Sequence, residues 1–177
     1  MPDYHRNRVP GGTYFFTVNL LERNSYLLTD RIEALREAVR KVHRARPFHI
    51  DSWVVLPEHI HCIWTLPEGD SDYSGRWRAI KIAFAKAVPK TERRSAVRRA
   101  KGERGIWQRR FWEHTIRDER DYASHMDYVH FNPVKHGRVE RVKDWPYSSF
   151  HRLVKAGVYP LDWAGDGAGD LAAGERE

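Results

Sequence analysis

The run from Phe48 to Leu66 constrains this chain more than any other stretch. Phe48, Ile50, Ser52, Val54 and Leu56 recur at every second position, Pro57-Glu58 makes a tight connection, and a second apolar run begins at His59. That pattern predicts two strands joined as a hairpin, with those five residues on one side of the first. Residues two apart on a strand project the same way, so His59 and His61 offer two imidazoles to one face while Ile60 and Cys62 face the other. Glu58 adjoins His59 but falls on the opposite side, which leaves it a role in the turn.

Other elements follow from spacing. Thr13 to Leu21, aromatic and β-branched after Gly11-Gly12, reads as a strand. Asp30 with Glu33 reads as a helix start for Ile32, Leu35, Val39 and Val42, which recur at helical spacing until Pro47. A second helix is expected over about 75–88, where Trp77, Ile80, Phe84, Ala87 and Val88 form a stripe with Lys81 at its edge. Phe111 to Ile116 reads as a further strand, and Asp118 with Asp121 opens a third helix ending before Pro133. The order βαββαβ plus one added helix predicts an α+β, ferredoxin-like sandwich with an antiparallel sheet and its helices on one face. One domain over residues 1–161 is expected, containing a basic segment (91–110) and a C-terminal extension (134–161). Residues 162–177, rich in Gly, Ala and Asp without apolar periodicity, are expected to be a disordered tail.

On the third helix, Tyr122, Met126 and Val129 define the apolar stripe, and at about 100° per residue Tyr128 falls well away from it. Asn132 follows four residues later, close to the same face. Two imidazoles, an amide and a phenol in one site would suit metal-assisted attack of tyrosine on a phosphodiester. Each part also has a plain reading: structural histidines, a helix-ending Asn-Pro pair, an amphipathic surface tyrosine. Imidazole ligands suit zinc or manganese better than magnesium, so donor chemistry alone does not name the ion.

The formal net charge is +7. Between Thr91 and Arg110, Arg93, Arg94, Arg98, Arg99, Lys101, Arg104, Arg109 and Arg110 stand against Glu92 and Glu103, so eight cations less two anions leave +6 in one segment. The block suits phosphate contacts to a polyanion, or equally a solvated linker. The single cysteine, Cys62, excludes an internal disulfide and a cysteine-rich zinc site. Without an apolar leader or spanning run, a cytoplasmic protein with no membrane partner is expected.

Six separated runs, Pro10–Val18, Trp53–His61, Trp77–Lys81, Phe111–Asp118, Tyr128–Gly137 and Trp145–Ser149, resemble the REP-associated tyrosine transposases, a bacterial branch of the single-tyrosine HUH endonucleases. The similarity extends from about Arg6 to Leu153. It implies that His59 and His61 are metal ligands flanking Ile60, that Tyr128 is the nucleophile, and that Asn132 is the third ligand, where related insertion-sequence transposases carry glutamine. The ion implied is Mg2+ or Mn2+. The implied reaction cleaves single-stranded DNA beside palindromic repeat hairpins through a 5′-phosphotyrosine intermediate and rejoins strands by reversal, with the protein at the nucleoid as a monomer or homodimer. Lys81 and the arginines and lysines of 93–110 would then track DNA phosphates, with Trp107, Trp112 and Trp145 available to stack on unpaired bases. A hairpin-binding protein that has lost catalysis is the alternative, and an RNA-binding ferredoxin-like domain a third reading.

Overall fold

Strand β1 (Thr13–Asn19) occupies the middle of a four-stranded sheet because both of its edges find partners. It pairs antiparallel with β3 (His59–Thr65) and β4 (Trp112–Thr115), and β3 pairs antiparallel with β2 (His49–Val55), giving the order β2-β3-β1-β4. The structure, a computed structural model, describes residues 5–164. Helices α1 (Leu27–Asp30) and α2 (Ile32–Ala45) connect β1 to β2, and α3 (Tyr73–Ala87) with the short α4 (Ala96–Ala100) lies between β3 and β4. This is the expected βαββαβ ferredoxin-like arrangement.

Strand alternation splits the interior into two layers. Tyr14, Phe16 and Val18 of β1 and Ile60, Cys62 and Trp64 of β3 face α2 and α3, where Leu35, Trp77, Ile80 and Phe84 complete a cluster. The Trp64 and Trp77 rings stack at 4.3 Å. Phe15, Val54 and Ile63 face the other way, toward Met126 and Val129 of α5 (Glu119–Lys135) and Phe150 of α6 (Phe150–Lys155). The sheet is thus a middle layer, with the added helix α5 on the face that α2 and α3 leave open.

Two polar devices fasten these layers. Asp118 caps α5 as expected, accepting from the Asp121 amide at 2.8 Å. The buried Arg76 of α3 donates to the carbonyls of Arg46, Pro47 and Asp72 and pairs with Asp70 at 2.7 Å, tying the start of α3 to the end of α2. Along the outer edge of β2, the Val55 amide donates to Tyr147 and the Ser149 amide to Trp53, so that edge is covered rather than left open.

Four details differ from the sequence pattern. A bulge between Ile50 and Ser52 breaks the alternation of β2: Phe48 and Ile50 join the α2/α3 layer, whereas Val54 and Leu56 join the α5 layer. Asp30 ends α1 instead of capping α2, whose N-cap is Arg31 with no side-chain bond. Helix α5 runs through Pro133 to Lys135 rather than stopping before it; proline near a helix end loses one amide bond without blocking the last turn. Packing also continues past residue 161, since the Trp163 ring lies 4.8 Å from that of Tyr159. The rest of the expected tail, 165–177, falls outside the described residues.

His130 of α5 is sealed between layers. Its Nδ1 donates to the Met126 carbonyl at 2.7 Å and its Nε2 accepts from the Ser149 hydroxyl at 2.8 Å. Burial pushes its pKa down from 6.5 to about 4. The unfolded imidazole binds a proton below about pH 6.5 while the folded one stays neutral, so stability drains as pH falls from there to about 4. His130 alone should lower Tm by roughly 2–4 °C per pH unit in that window. Thermal melts of wild type and His130→Gln between pH 7 and 4 test this; equal slopes would mean that His130 protonates inside the folded protein.

Candidate active site

Strand β3 presents His59 and His61 toward α5, while Ile60 and Cys62 enter the opposite layer as the alternation predicts. The register of β1 sets Asn19 opposite His59 and Thr17 opposite His61. Thr17 Oγ1 and His61 Nδ1 lie 2.7 Å apart. His59 Nδ1 donates to Glu58 Oε1, also at 2.7 Å. With each Nδ1 engaged, both rings keep Nε2 for another partner, the way ligating histidines are ordinarily oriented. The two rings are 4.8 Å apart, and each residue is only 2% exposed.

Glu58 therefore does more than turn the chain. It precedes the first paired residue of β3, so strand alternation does not govern it, and its carboxylate swings back onto His59. Burial opposes its ionisation, but the His59 bond and nearby cations hold the carboxyl below its usual range. Arg138 stands 3.7 Å from it and Arg23 3.9 Å.

Helix α5 lies over the histidine pair and brings Tyr128, Asn132 and His136 on successive turns. Tyr128 is 5% exposed, contrary to the expectation of a residue away from the core; its ring sits 5.3 Å from His61 and 5.8 Å from Phe15. Tyr128 shares one buried cluster with Met126 and Val129, and Tyr122 packs against it, so the buried face of the helix is wider than the stripe alone. Lys135 Nζ approaches Tyr128 Oη at 3.5 Å and the ring centroid at 4.8 Å. Asn132 is fully buried, and neither its Oδ1 nor its Nδ2 has a hydrogen-bond partner. An orphaned buried amide costs about 1–3 kcal/mol, which marks it as a group awaiting a ligand.

His136 completes the constellation. Its ring lies 5.1 Å from His59, and donor atoms of His59, His61 and His136 lie within 4.8 Å of one another. Burial holds His61 well below its ordinary pKa, with the charges of His59, His136 and Lys135 acting the same way; burial and His59 lower His136. Neutral imidazole is the form that binds a metal. These imidazoles and the unsatisfied Asn132 amide fit a divalent cation. Sequence reading missed His136 because Pro133 was taken as the helix end; an uninterrupted helix puts residue 136 two turns beyond Tyr128.

A second polar group lies along α5. His114 Nε2 bonds the Asp121 carboxylate at 2.9 Å, and His125 Nδ1 bonds the Asp121 carbonyl at 2.8 Å. These bonds fasten the start of α5 to β4.

The basic candidates lie elsewhere. Lys81, Arg94, Arg98, Arg104 and Arg109 line a groove of about 1050 Å³ beside α3, on the side of the sheet away from Tyr128. Lys81 donates to the Gln108 carbonyl at 2.9 Å, and burial lowers its pKa to about 8. Arg104 is committed to Glu92 and the Val88 and Pro89 carbonyls, while Arg98 and Arg109 flank Glu103. Arg93, Arg99, Lys101 and Arg110 are exposed and stand outside the groove lining. Of the aromatics, Trp107 is buried, Trp145 donates to the Val55 carbonyl, and Trp112 is exposed on β4.

Paired histidines on a central strand thus meet a tyrosine of α5 on one side of a ferredoxin-like sheet. No protein-family model matches the chain. It is 56% identical over 176 residues, 99% of this chain and 98% of the relative, to a REP-associated tyrosine transposase of Escherichia coli (strain K12). A solved structure described as a REP-associated tyrosine transposase bound to a REP hairpin superposes with a TM-score of 0.83 at 54% identity, covering 100% of this chain and 99% of that one. The chain belongs to the REP-associated tyrosine transposase family. No helix of the described residues is long and apolar enough to cross a membrane.

If Glu58 orients His59 as a ligand, Glu58→Ala should weaken manganese binding by about 10–100-fold. Calorimetry with manganese chloride on DNA-free protein measures it; unchanged affinity would confine Glu58 to its arginine contacts.

Proposed function

We propose that this protein nicks and rejoins single-stranded DNA at palindromic repeat hairpins, with Tyr128 as nucleophile and a divalent cation as cofactor. The observation that carries the reading is the buried Tyr128 phenol packed on His61, one turn from an Asn132 amide that has no partner. The hairpin substrate is supported by the 54%-identical structure described as bound to a REP hairpin.

His59, His61 and Asn132 would hold the cation, Mg2+ or Mn2+, with His136 beside them. When bound, such an ion supplies Lewis-acid stabilisation of charge on phosphodiester oxygens. The chain's own residues do the rest. Glu58 and Thr17 fix the orientation of the two rings. Phe15 and His61 confine the phenol and keep bulk water away from its ring. Tyr128 Oη attacks phosphorus in line, forming the Oη–P bond as the P–O3′ bond breaks, which leaves a 5′-phosphotyrosine and a 3′-hydroxyl. Attack by a 3′-hydroxyl on that linkage reverses the step, so strands rejoin without ATP. The groove beside α3 would hold DNA backbone through Lys81, Arg94, Arg98 and Arg109, with the exposed Arg93, Arg99, Lys101 and Arg110 extending the basic surface and Arg104 bracing it. Acting on chromosomal repeats, the protein would sit at the nucleoid, in the cytoplasm.

The second reading is a hairpin binder without catalysis. The unsatisfied Asn132 amide speaks against it, because a pure binder gains nothing from a buried orphan group.

Denaturing gels of protein, manganese and labelled hairpin DNA with a single-stranded flank should show a covalent adduct for wild type. Tyr128→Phe should abolish the adduct while hairpin affinity stays; an adduct that persists would move the nucleophile to another residue. His59→Ala should depress cleavage far more than hairpin affinity at moderate salt, and equal losses in both would make His59 a structural residue.

A further inference from the structure

We propose that Lys135 is a catalytic residue: its ammonium holds the charge of the Tyr128 phenolate both as it attacks and as it leaves. This rests on the nucleophile role given to Tyr128 above. Lys135 ends α5 seven residues after Tyr128, two turns along the same face. Its Nζ donates toward Tyr128 Oη at 3.5 Å and also lies 4.8 Å from the ring centroid, so it touches the reacting atom directly. Among the described residues no carboxylate pairs with Lys135; the cations at Glu58 are Arg23 and Arg138. Lys135 is exposed at the helix end, within reach of an incoming phosphodiester.

A phenol with an ordinary pKa near 10 is almost wholly protonated at neutral pH, so its attack needs a positive field at the oxygen. In the forward step the Oη–P bond forms and the P–O3′ bond breaks. The phenol proton passes to water, and the departing 3′-oxygen takes a proton from water. Lys135 keeps its own protons throughout and contributes charge alone. In the reverse step a 3′-hydroxyl attacks phosphorus, loses its proton to water and expels the phenolate, which rests against Lys135 until water reprotonates it. A fixed donor aimed at the atom where charge develops is worth about 10²–10³ in rate.

The competing role for an exposed lysine here is a simple contact to a DNA phosphate. Single-turnover adduct formation and hairpin affinity separate the two, measured with manganese for wild type, Lys135→Ala and Lys135→Arg. Lys135→Ala should slow the adduct by about 10²–10³-fold with affinity within about threefold of wild type. Lys135→Arg, which keeps the charge, should retain most of the rate. Ethylammonium added to Lys135→Ala should restore part of it, a response that a merely structural role would not give. A Lys135→Ala rate within about threefold of wild type, or a rate loss matched by an equal affinity loss with no rescue, overturns the proposal. A wild type that binds hairpin but forms no adduct overturns the nucleophile assignment itself, and this inference with it.

Discussion

The pairing of β1 with β3 is the constraint on which the rest depends. Its register sets Thr17 against His61 and Asn19 against His59. It also sends Phe16, Val18, Ile60 and Cys62 into the α2/α3 layer, where their burial fixes which way the strands face. A slip of one residue would turn His59 and His61 into the α2/α3 layer and Ile60 and Cys62 toward α5. The histidine pair is therefore held by hydrophobic packing on the far side of the sheet, including the Trp64–Trp77 stack. No loop is needed to aim it.

The site carries groups that folding alone disfavours. Asn132 is buried with its amide unsatisfied, His61 is held neutral by burial, and Tyr128 is enclosed although it is the proposed nucleophile. Several local rules are broken within one small region, as is common at functional sites. The apolar layers on both faces supply the stability that offsets these costs. His130 and the Asp121 network anchor α5 at two further points along its length, so the helix that carries the phenol is rigidly placed over the strand that carries the imidazoles.

The charge distribution separates two tasks. The excess of arginine and lysine gathers beside α3, across the sheet from Tyr128, where the proposed backbone contacts to DNA would not crowd the proposed nucleophile. Around the site itself the cations are few and individually placed: Arg23 and Arg138 on Glu58, Lys135 on Tyr128. Long-range attraction and local charge stabilisation thus come from different residues.

Much of this was legible beforehand. Aromatic and β-branched content located β1, alternation located β2, the apolar run after Pro57-Glu58 located β3 and the face shared by His59 and His61, and the Asp118 cap located the start of α5, because these are local rules that a sequence displays directly. What remained hidden depended on contacts distant in sequence. The β2 bulge, the burial of Tyr128 on Phe15 and His61, and the continuation of α5 through Pro133 follow from how layers meet, since packing on both faces can override a local preference. The approach of His136, Glu58 and Lys135 to the site followed from those same contacts. The sequence by itself determined that the histidine pair, Tyr128 and Asn132 could do chemistry and on which elements they ride; only the tertiary structure decided which residues share one site, because a helix and a strand separated by more than fifty residues meet through the core between them.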